Sequence, residues 1–506
     1  MSLSEAVDAA VAAVRRRPGD LLPWYVLGAA VPAIARVVPF LAVAIGYAYL
    51  ATTGRLETIV AALRELNTEP PDPNAEPEAF DAWASQFEVL VEQVLTPTMI
   101  LLTLATIAVT IVVGIALYAA VAAGQLTACS ARLRGNRGVA AGFAGARRYW
   151  LRFLGLYLLE LLAWIGVLLT LGLVIGIVAA VVTLSTGSGG ATLLVGAVAG
   201  LAALLAVRAV FAFASVAVVV DDTTAVDAVT NALGFIRSKP IEAGVYYAVA
   251  LGTTIALAAF SAVITFVDVA TLLSVVTPLV AFPALDLLKT AVYNDYRRRL
   301  EPPTAPERSL GEQLRDGVRH GWSEMIAFVR ETPGTHALVV ALALGGFWAG
   351  WAAAAPIADT VETSISARLV DHNPFAATLE FFANNWLVAL TTALAGVVLV
   401  LPAVASLLFN GVAMGVVART EVEPTELLAF VVPHGVFEIP AIFVASALGI
   451  RLGVTGWRTV RGDASRTDLA DALERAFWVL IGVGVLLAVA AAIEGFVSPY
   501  YYDLLL

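Results

Sequence analysis

Cysteine is almost missing from this sequence: Cys129 stands alone among 506 residues. An internal disulfide is therefore excluded, and so is a metal site built on several thiolates. Charge is scarce as well, at 14% of residues against 60% hydrophobic, with a mean hydropathy of +0.86. Such a composition excludes a soluble enzyme and points to an integral membrane protein. Lysine occurs only as Lys239 and Lys289, so arginine supplies nearly all the positive charge. Acidic loops with little lysine fit a high-salt proteome, though a base composition favouring arginine gives the same pattern. Histidine is limited to His320, His336, His372 and His434. The turn Gly187-Ser188-Gly189-Gly190 has no strand before it and no lysine after it, so it is no phosphate loop. No cleavable signal peptide is evident. Residues 1–23 are amphipathic, carry Arg15-Arg16-Arg17, and lead straight into an apolar span that is expected to stay as an anchor.

What the chain does have is long apolar runs. At roughly 20 residues per crossing they predict an all-α polytopic fold of about eleven transmembrane helices with interfacial amphipathic helices. The spans fall near 24–50, 97–124, 153–184, 191–219, 242–267, 270–293, 335–356, 386–401, 403–418, 426–450 and 476–496. The pair 386–401 and 403–418 reads as hinged at Pro402, or as a single span.

Arginine placement predicts orientation. Segments 126–152, 294–334 and 451–475 are basic and go to the cytoplasm of a plasma membrane, with the N-terminus. The acidic loop 53–96, with Glu69-Pro70-Pro71-Asp72-Pro73, goes outside, as do 357–385 and the C-terminus. The net charge of −10 is divided among these loops and forms no single field. Four basic amphipathic stretches, 11–18, 141–148, 232–240 and 325–333, each lead into an outward-going span. They read as a repeated interfacial helix, or as the ordinary character of inward-facing juxtamembrane segments. The linker around Glu301-Pro302-Pro303-Thr304 divides the chain. Residues 1–295 form a six-span domain, 296–334 a cytoplasmic linker with an amphipathic helix, and 335–506 a five-span domain.

Ionisable groups inside hydrocarbon are expensive, so each one is a candidate site. The segment Pro433-His434-Gly435-Val436-Phe437-Glu438-Ile439-Pro440 is the most informative. His434 and Glu438, four residues apart, share one helix face. Two prolines and a glycine beside them predict kinked or broken backbone. Asn384-Asn385, Asn410-Gly411 with Gly415, and Glu494 are the other polar features of this half. In the predicted topology Asn385, Asn410, His434, Glu438 and Glu494 form one candidate cluster in the outer half of the bilayer. His434 lies eight residues into its span, about 12 Å deep. Interhelical hydrogen bonding accounts for such a cluster as well as a ligand, proton or catalytic site does. For a metal, His434 and Glu438 offer two ligands at helical spacing and Glu494 a third, but a zinc-protease helix needs two histidines and this span has one, so no metal ligand set is assigned. In the first half, Glu160 and Arg208 lie in neighbouring spans and are expected to form a structural ion pair.

At these residues the C-terminal half resembles the stage II sporulation protein M family, from about Leu338 to Pro499. The resemblance rests on Asn385, Asn410-Gly411 with Gly415, Pro433-His434-Gly435 with Glu438, and Glu494. It implies a membrane scaffold: the namesakes act in engulfment in spore-formers, holding a wall-remodelling machine with two partner proteins. In a cell without peptidoglycan that role would not transfer. The first half departs from the family. Its Val218-Val219-Val220-Asp221-Asp222 pattern resembles six-span membrane domains that precede some membrane-bound phosphodiesterases, but the phosphodiesterase domain is absent.

The expected function is a non-enzymatic scaffold or assembly factor needing no cofactor. A transporter with a polar site in the outer half of the bilayer is the alternative, and an intramembrane hydrolase using His434 and Glu438 ranks last. The expected partners are the lipid bilayer, other membrane or cell-surface proteins and a second copy of the chain, not nucleic acid.

Overall fold

Apolar runs can hide their backbone polar groups in hydrocarbon only by closing them into helix, and this chain does so throughout. The structure, a computed structural model, describes residues 3–65, 77–186, 190–266, 269–301, 304–355, 358, 363–364, 373–398 and 400–499. Among the described residues there is no strand, only an isolated bridge between Thr363 and Glu421. The helices, in order, are α1 (Leu3–Arg16), α2 (Leu22–Ala35), α3 (Val37–Thr52), α4 (Arg55–Glu65), α5 (Pro77–Val94) and α6 (Pro97–Arg132). They continue as α7 (Gly138–Thr186), α8 (Gly190–Val220), α9 (Ala225–Ser238), α10 (Pro240–Phe266), α11 (Leu272–Val276) and α12 (Phe282–Tyr296). The last six are α13 (Leu310–Glu331), α14 (Pro333–Ala354), α15 (Pro374–Ala395), α16 (Leu401–Thr420), α17 (Pro424–Arg461) and α18 (Arg466–Phe496).

Ten segments among the described residues are long and apolar enough to cross a membrane. This makes the chain an all-α polytopic membrane protein. The eleventh expected span is where sequence and structure part. Helix α15 starts twelve residues before the expected 386, because Asn373 caps it through the amides of Phe375 and Ala376 (3.1 and 3.2 Å) and Pro374 opens its first turn. Its 22 residues reach about 33 Å. Glu380, Asn384 and Asn385 dilute its hydropathy, and it is not among the ten. The helix break falls after α15, from residue 396, ahead of Pro402, which sits in the first turn of α16.

Other expectations are refined locally. The flanks of loop 53–96 are helical, α4 and α5, while Glu69–Pro73 lie outside the described residues. So do Gly187–Gly189, Pro302, Pro303 and His372. Of the four basic amphipathic stretches, three close α1, α9 and α13. Residues 141–148 instead run unbroken into a span as part of the 49-residue α7. The predicted break at Pro433 and Pro440 is absent, since α17 remains α-helical through both prolines. That helix ends at Gly462, whose φ of 85° suits glycine, and Ser465 with Asp468 forms the capping box that starts α18.

The contacts divide the chain into two units that cut across the expected blocks 1–295 and 335–506. One comprises residues 1–28, 115–263 and 276–312, the other 29–114, 264–275 and 313–506.

Ion pairs, the first buried and others partly exposed, tie helix junctions in the first unit. Asp20, 1% exposed, accepts from the amides of Gly138 and Val139 (2.8 and 3.0 Å) at the N-terminus of α7. A carboxylate there satisfies orphan donors and meets the positive end of the helix dipole. Arg132, at the end of α6, lies 3.4 Å from the same carboxylate. The Val218–Asp222 pattern becomes a second junction. Asp221 accepts from Tyr293 and Arg297 of α12 (both 2.6 Å) and from Asn231 of α9 (2.9 Å). Asp222 pairs with Arg148 and Arg152 of α7. Burial tends to raise the Asp222 carboxyl, but the two guanidinium groups outweigh it and hold it below the usual aspartate range.

The second unit contains a close helix pair, α14 with α16. A Cβ added at Gly350 would overlap the carbonyl of Val412, and one at Gly415 the carbonyl of Phe347. Small residues let membrane helices approach this far. Trp386 of α15 donates to the carbonyl of Leu480 of α18 at 3.1 Å, which sets the register of that pair.

Candidate functional site

Helices α17 and α18 bring three ionisable side chains together. One ligand-type atom from each of His434, Glu438 and Glu494 lies within 4.8 Å of the other two. His434 and Glu438 share a face of α17 by their spacing, and Glu494 comes from the far end of α18. His434 is buried, and both carboxylates are half-buried. The Nδ1 of His434 lies 3.1 Å from the hydroxyl of Ser498. Phe430, one turn earlier on α17, sets its ring edge against the imidazole at 5.3 Å between centroids. The Oε2 atom of Glu494 is buried without a hydrogen-bond partner among the described residues.

The two asparagines stand apart from this trio. Asn410 donates to the carbonyl of Ser406 in its own helix (2.9 Å), and Asn385 accepts from Asn384 (3.2 Å). Neither is hydrogen-bonded to the trio among the described residues. Register explains Asn385. Its neighbour Trp386 lies against Leu480 and Gly484, and Glu494 is ten residues beyond Gly484, about 15 Å along the helix. The glycines next to Asn410 serve the α14–α16 contact. Two of the five predicted positions therefore bond within their own helices, and three converge.

Charge compensation decides what the trio can do. Two carboxylates this close in a low-dielectric setting are not stable as a bare pair of anions. No arginine or lysine among the described residues pairs with either one. The balancing positive charge must come from protons or from a bound cation.

Two ion pairs lie within the spans of the first unit. Arg208 Nη1 lies 3.1 Å from Glu160 Oε1 and 3.3 Å from Oε2, on the two predicted helices. The sequence reading missed Asp286, Lys289 and Tyr25. Lys289 Nζ is 2.7 Å from Asp286 Oδ1, and Tyr25 donates to Asp286 Oδ2 at 3.0 Å. Both ion pairs line one cavity of about 170 Å³, with Gln125, Tyr157 and Ser215. An acid and a lysine three residues apart inside a predicted span were the available signal. Ser498, four residues after Glu494, was likewise visible as a polar residue on the same face.

Residues 338–499, about a third of the chain, match the family model described as Stage II sporulation protein M. The match includes the whole trio and both asparagines. No curated protein and no solved structure matches the chain.

Proposed function

We propose that this chain is a non-enzymatic scaffold or assembly factor for a membrane complex. The observation that carries this reading is the family match over 338–499, which covers the packed helices α14–α18. The expected partners are other membrane or cell-surface proteins, or a second copy of the chain. In this reading the chain sits in the plasma membrane with its arginine-rich segments in the cytoplasm.

One observation favours a second reading, a transporter. Three ionisable groups meet within membrane-spanning helices, and among the described residues no arginine or lysine pairs with either carboxylate. Vesicles containing only the purified chain separate the two. The scaffold reading expects no solute, proton or metal flux above empty vesicles. It also expects a partner of fixed stoichiometry that stays with the solubilised protein. Flux that disappears in the Glu438→Gln/Glu494→Gln variant would transfer the function to transport.

Orientation has its own test. Replacing Cys129 leaves a background without cysteine, in which single cysteines at Ser309 and Ser465 report sidedness. Both should be labelled only from the cytoplasmic side.

A further inference from the structure

We propose that His434, Glu438 and Glu494 bind one divalent cation of the first transition row, zinc or manganese, with Ser498 orienting the histidine. The inference does not depend on the scaffold reading, since an ion here can serve structure or transport alike.

Four observations support it. The first is geometry: the three donor atoms already lie within 4.8 Å of one another. Ligands each about 2.1 Å from a tetrahedral zinc ion lie about 3.4 Å apart. From separations of up to 4.8 Å the trio closes on an ion by a shift of up to about 1 Å per side chain, within reach of side-chain rotation. The second is charge. Two carboxylates and one divalent cation sum to zero, the state a low-dielectric site favours. The third is the unused acceptor: Glu494 Oε2 is buried without a hydrogen-bond partner among the described residues, and a buried acceptor is normally satisfied. The fourth is the histidine's second contact. Ser498 lies 3.1 Å from Nδ1, so in the proposed site Nε2 is the ligand and Ser498 the orienting partner, the usual arrangement of a metal-bound imidazole.

The donor set narrows the ion. With a single imidazole and two carboxylates, and no thiolate, the site does not suit soft metals. The imidazole favours zinc and the two carboxylates also suit manganese, whereas calcium and magnesium prefer oxygen alone. The sequence places two donors on one helix and offers Glu494 as a possible third. The third arrives from α18, sixty residues after His434.

The test uses the full chain in detergent with any affinity tag removed. The protein is stripped with a chelator, dialysed against zinc or manganese, and repurified for elemental analysis. About one ion per chain is expected in the native protein. The isosteric Glu438→Gln/Glu494→Gln variant should retain under about a tenth of that, with its helical circular dichroism and monodisperse elution unchanged. His434→Ala should lose the ion as well. Ser498→Ala should bind roughly tenfold more weakly, the usual effect of removing an orienting partner. Cobalt loading should give visible absorption bands that the double variant lacks. Metal-free native protein after dialysis would overturn the proposal, leaving protons as the balancing charge. Equal metal content in the native protein and the folded double variant would overturn it too, by placing the ion elsewhere.

Discussion

Asp20, Glu160, Asp221, Asp222 and Asp286 in the first unit each lie within 3.4 Å of an arginine or lysine nitrogen. Among the described residues, Glu438 and Glu494 in the second unit have no such nitrogen beside them and lie with each other and His434. The same residue types therefore do two different things. In the first unit each of these acids closes on a base, within one helix for Asp286 and Lys289 and between separate segments for the others, so its charge is already balanced. In the second, the acids leave a net demand for positive charge. A buried ion pair fixes geometry, whereas an uncompensated acid pair invites a proton or a cation. Substitutions should consequently be costly at the first kind of site and tolerated at the second when no ion is bound.

The largest effect is expected at Asp20. Asp20→Ala removes two hydrogen bonds to the start of α7 and the countercharge beside Arg132, and both side chains are at most 3% exposed. Breaking a buried pair of this kind costs about 3–5 kcal/mol. Denaturant titration in detergent should show a loss of that size. A loss under about 1 kcal/mol would mean the junction is held by apolar packing alone.

Next comes the α14–α16 contact, where charge plays no part. Gly415→Leu places a side chain where the backbone of Phe347 already lies. Overpacking of this sort costs about 1–3 kcal/mol. Thermal unfolding should fall accordingly, and a neutral result would show that the two helices separate easily.

The trio should behave in the opposite sense. In chelator-stripped protein, Glu438→Gln/Glu494→Gln removes two groups that repel when ionised and keeps their shape. Stability should be unchanged or raised by about 1 kcal/mol, since exchanging buried charge for neutral groups is often neutral or favourable. A loss comparable to that of Asp20→Ala would make the trio a structural network and erase the contrast between the units.

Much of this contrast was visible in the sequence, for reasons that differ by residue. The spans were legible because apolar runs of sufficient length have one stable outcome in lipid. His434 and Glu438 were legible as a pair because helical periodicity fixes their common face. Asn385 was misplaced because helix register is a tertiary property: the Trp386 contact with Leu480, not chain order, sets its depth. The start of α15 was hidden by Glu380 and the asparagines, which interrupt hydropathy without interrupting the helix. Asp20 was silent because its partners lie more than a hundred residues away, at Arg132 and Gly138. Pro433 and Pro440 suggested a break, yet α17 runs through both, as membrane helices can when their neighbours satisfy the freed carbonyls.

The smallest effect is expected where compensation occurs in water. Glu331, at the end of α13, accepts from Arg475 Nη1 at 2.8 Å, and Arg475 Nε also binds Glu324 at 3.0 Å. The hydrogen bond from Arg475, and then its charge, hold the Glu331 carboxyl below the usual glutamate range. A depressed value in the folded state means the contact stabilises above the ordinary glutamate range and is lost as pH falls through the lowered value. With Glu331 at 55% exposure, solvent and salt screen most of that contribution. Melting curves from pH 7 to pH 3 should show Glu331→Gln slightly less stable than the native protein at neutral pH. The two should converge in acid, and added salt should shrink the gap. A gap that persists at pH 3 would assign the difference to packing against Arg475 and not to charge. The rule that separates the two units would then not extend to the water-exposed end of α13.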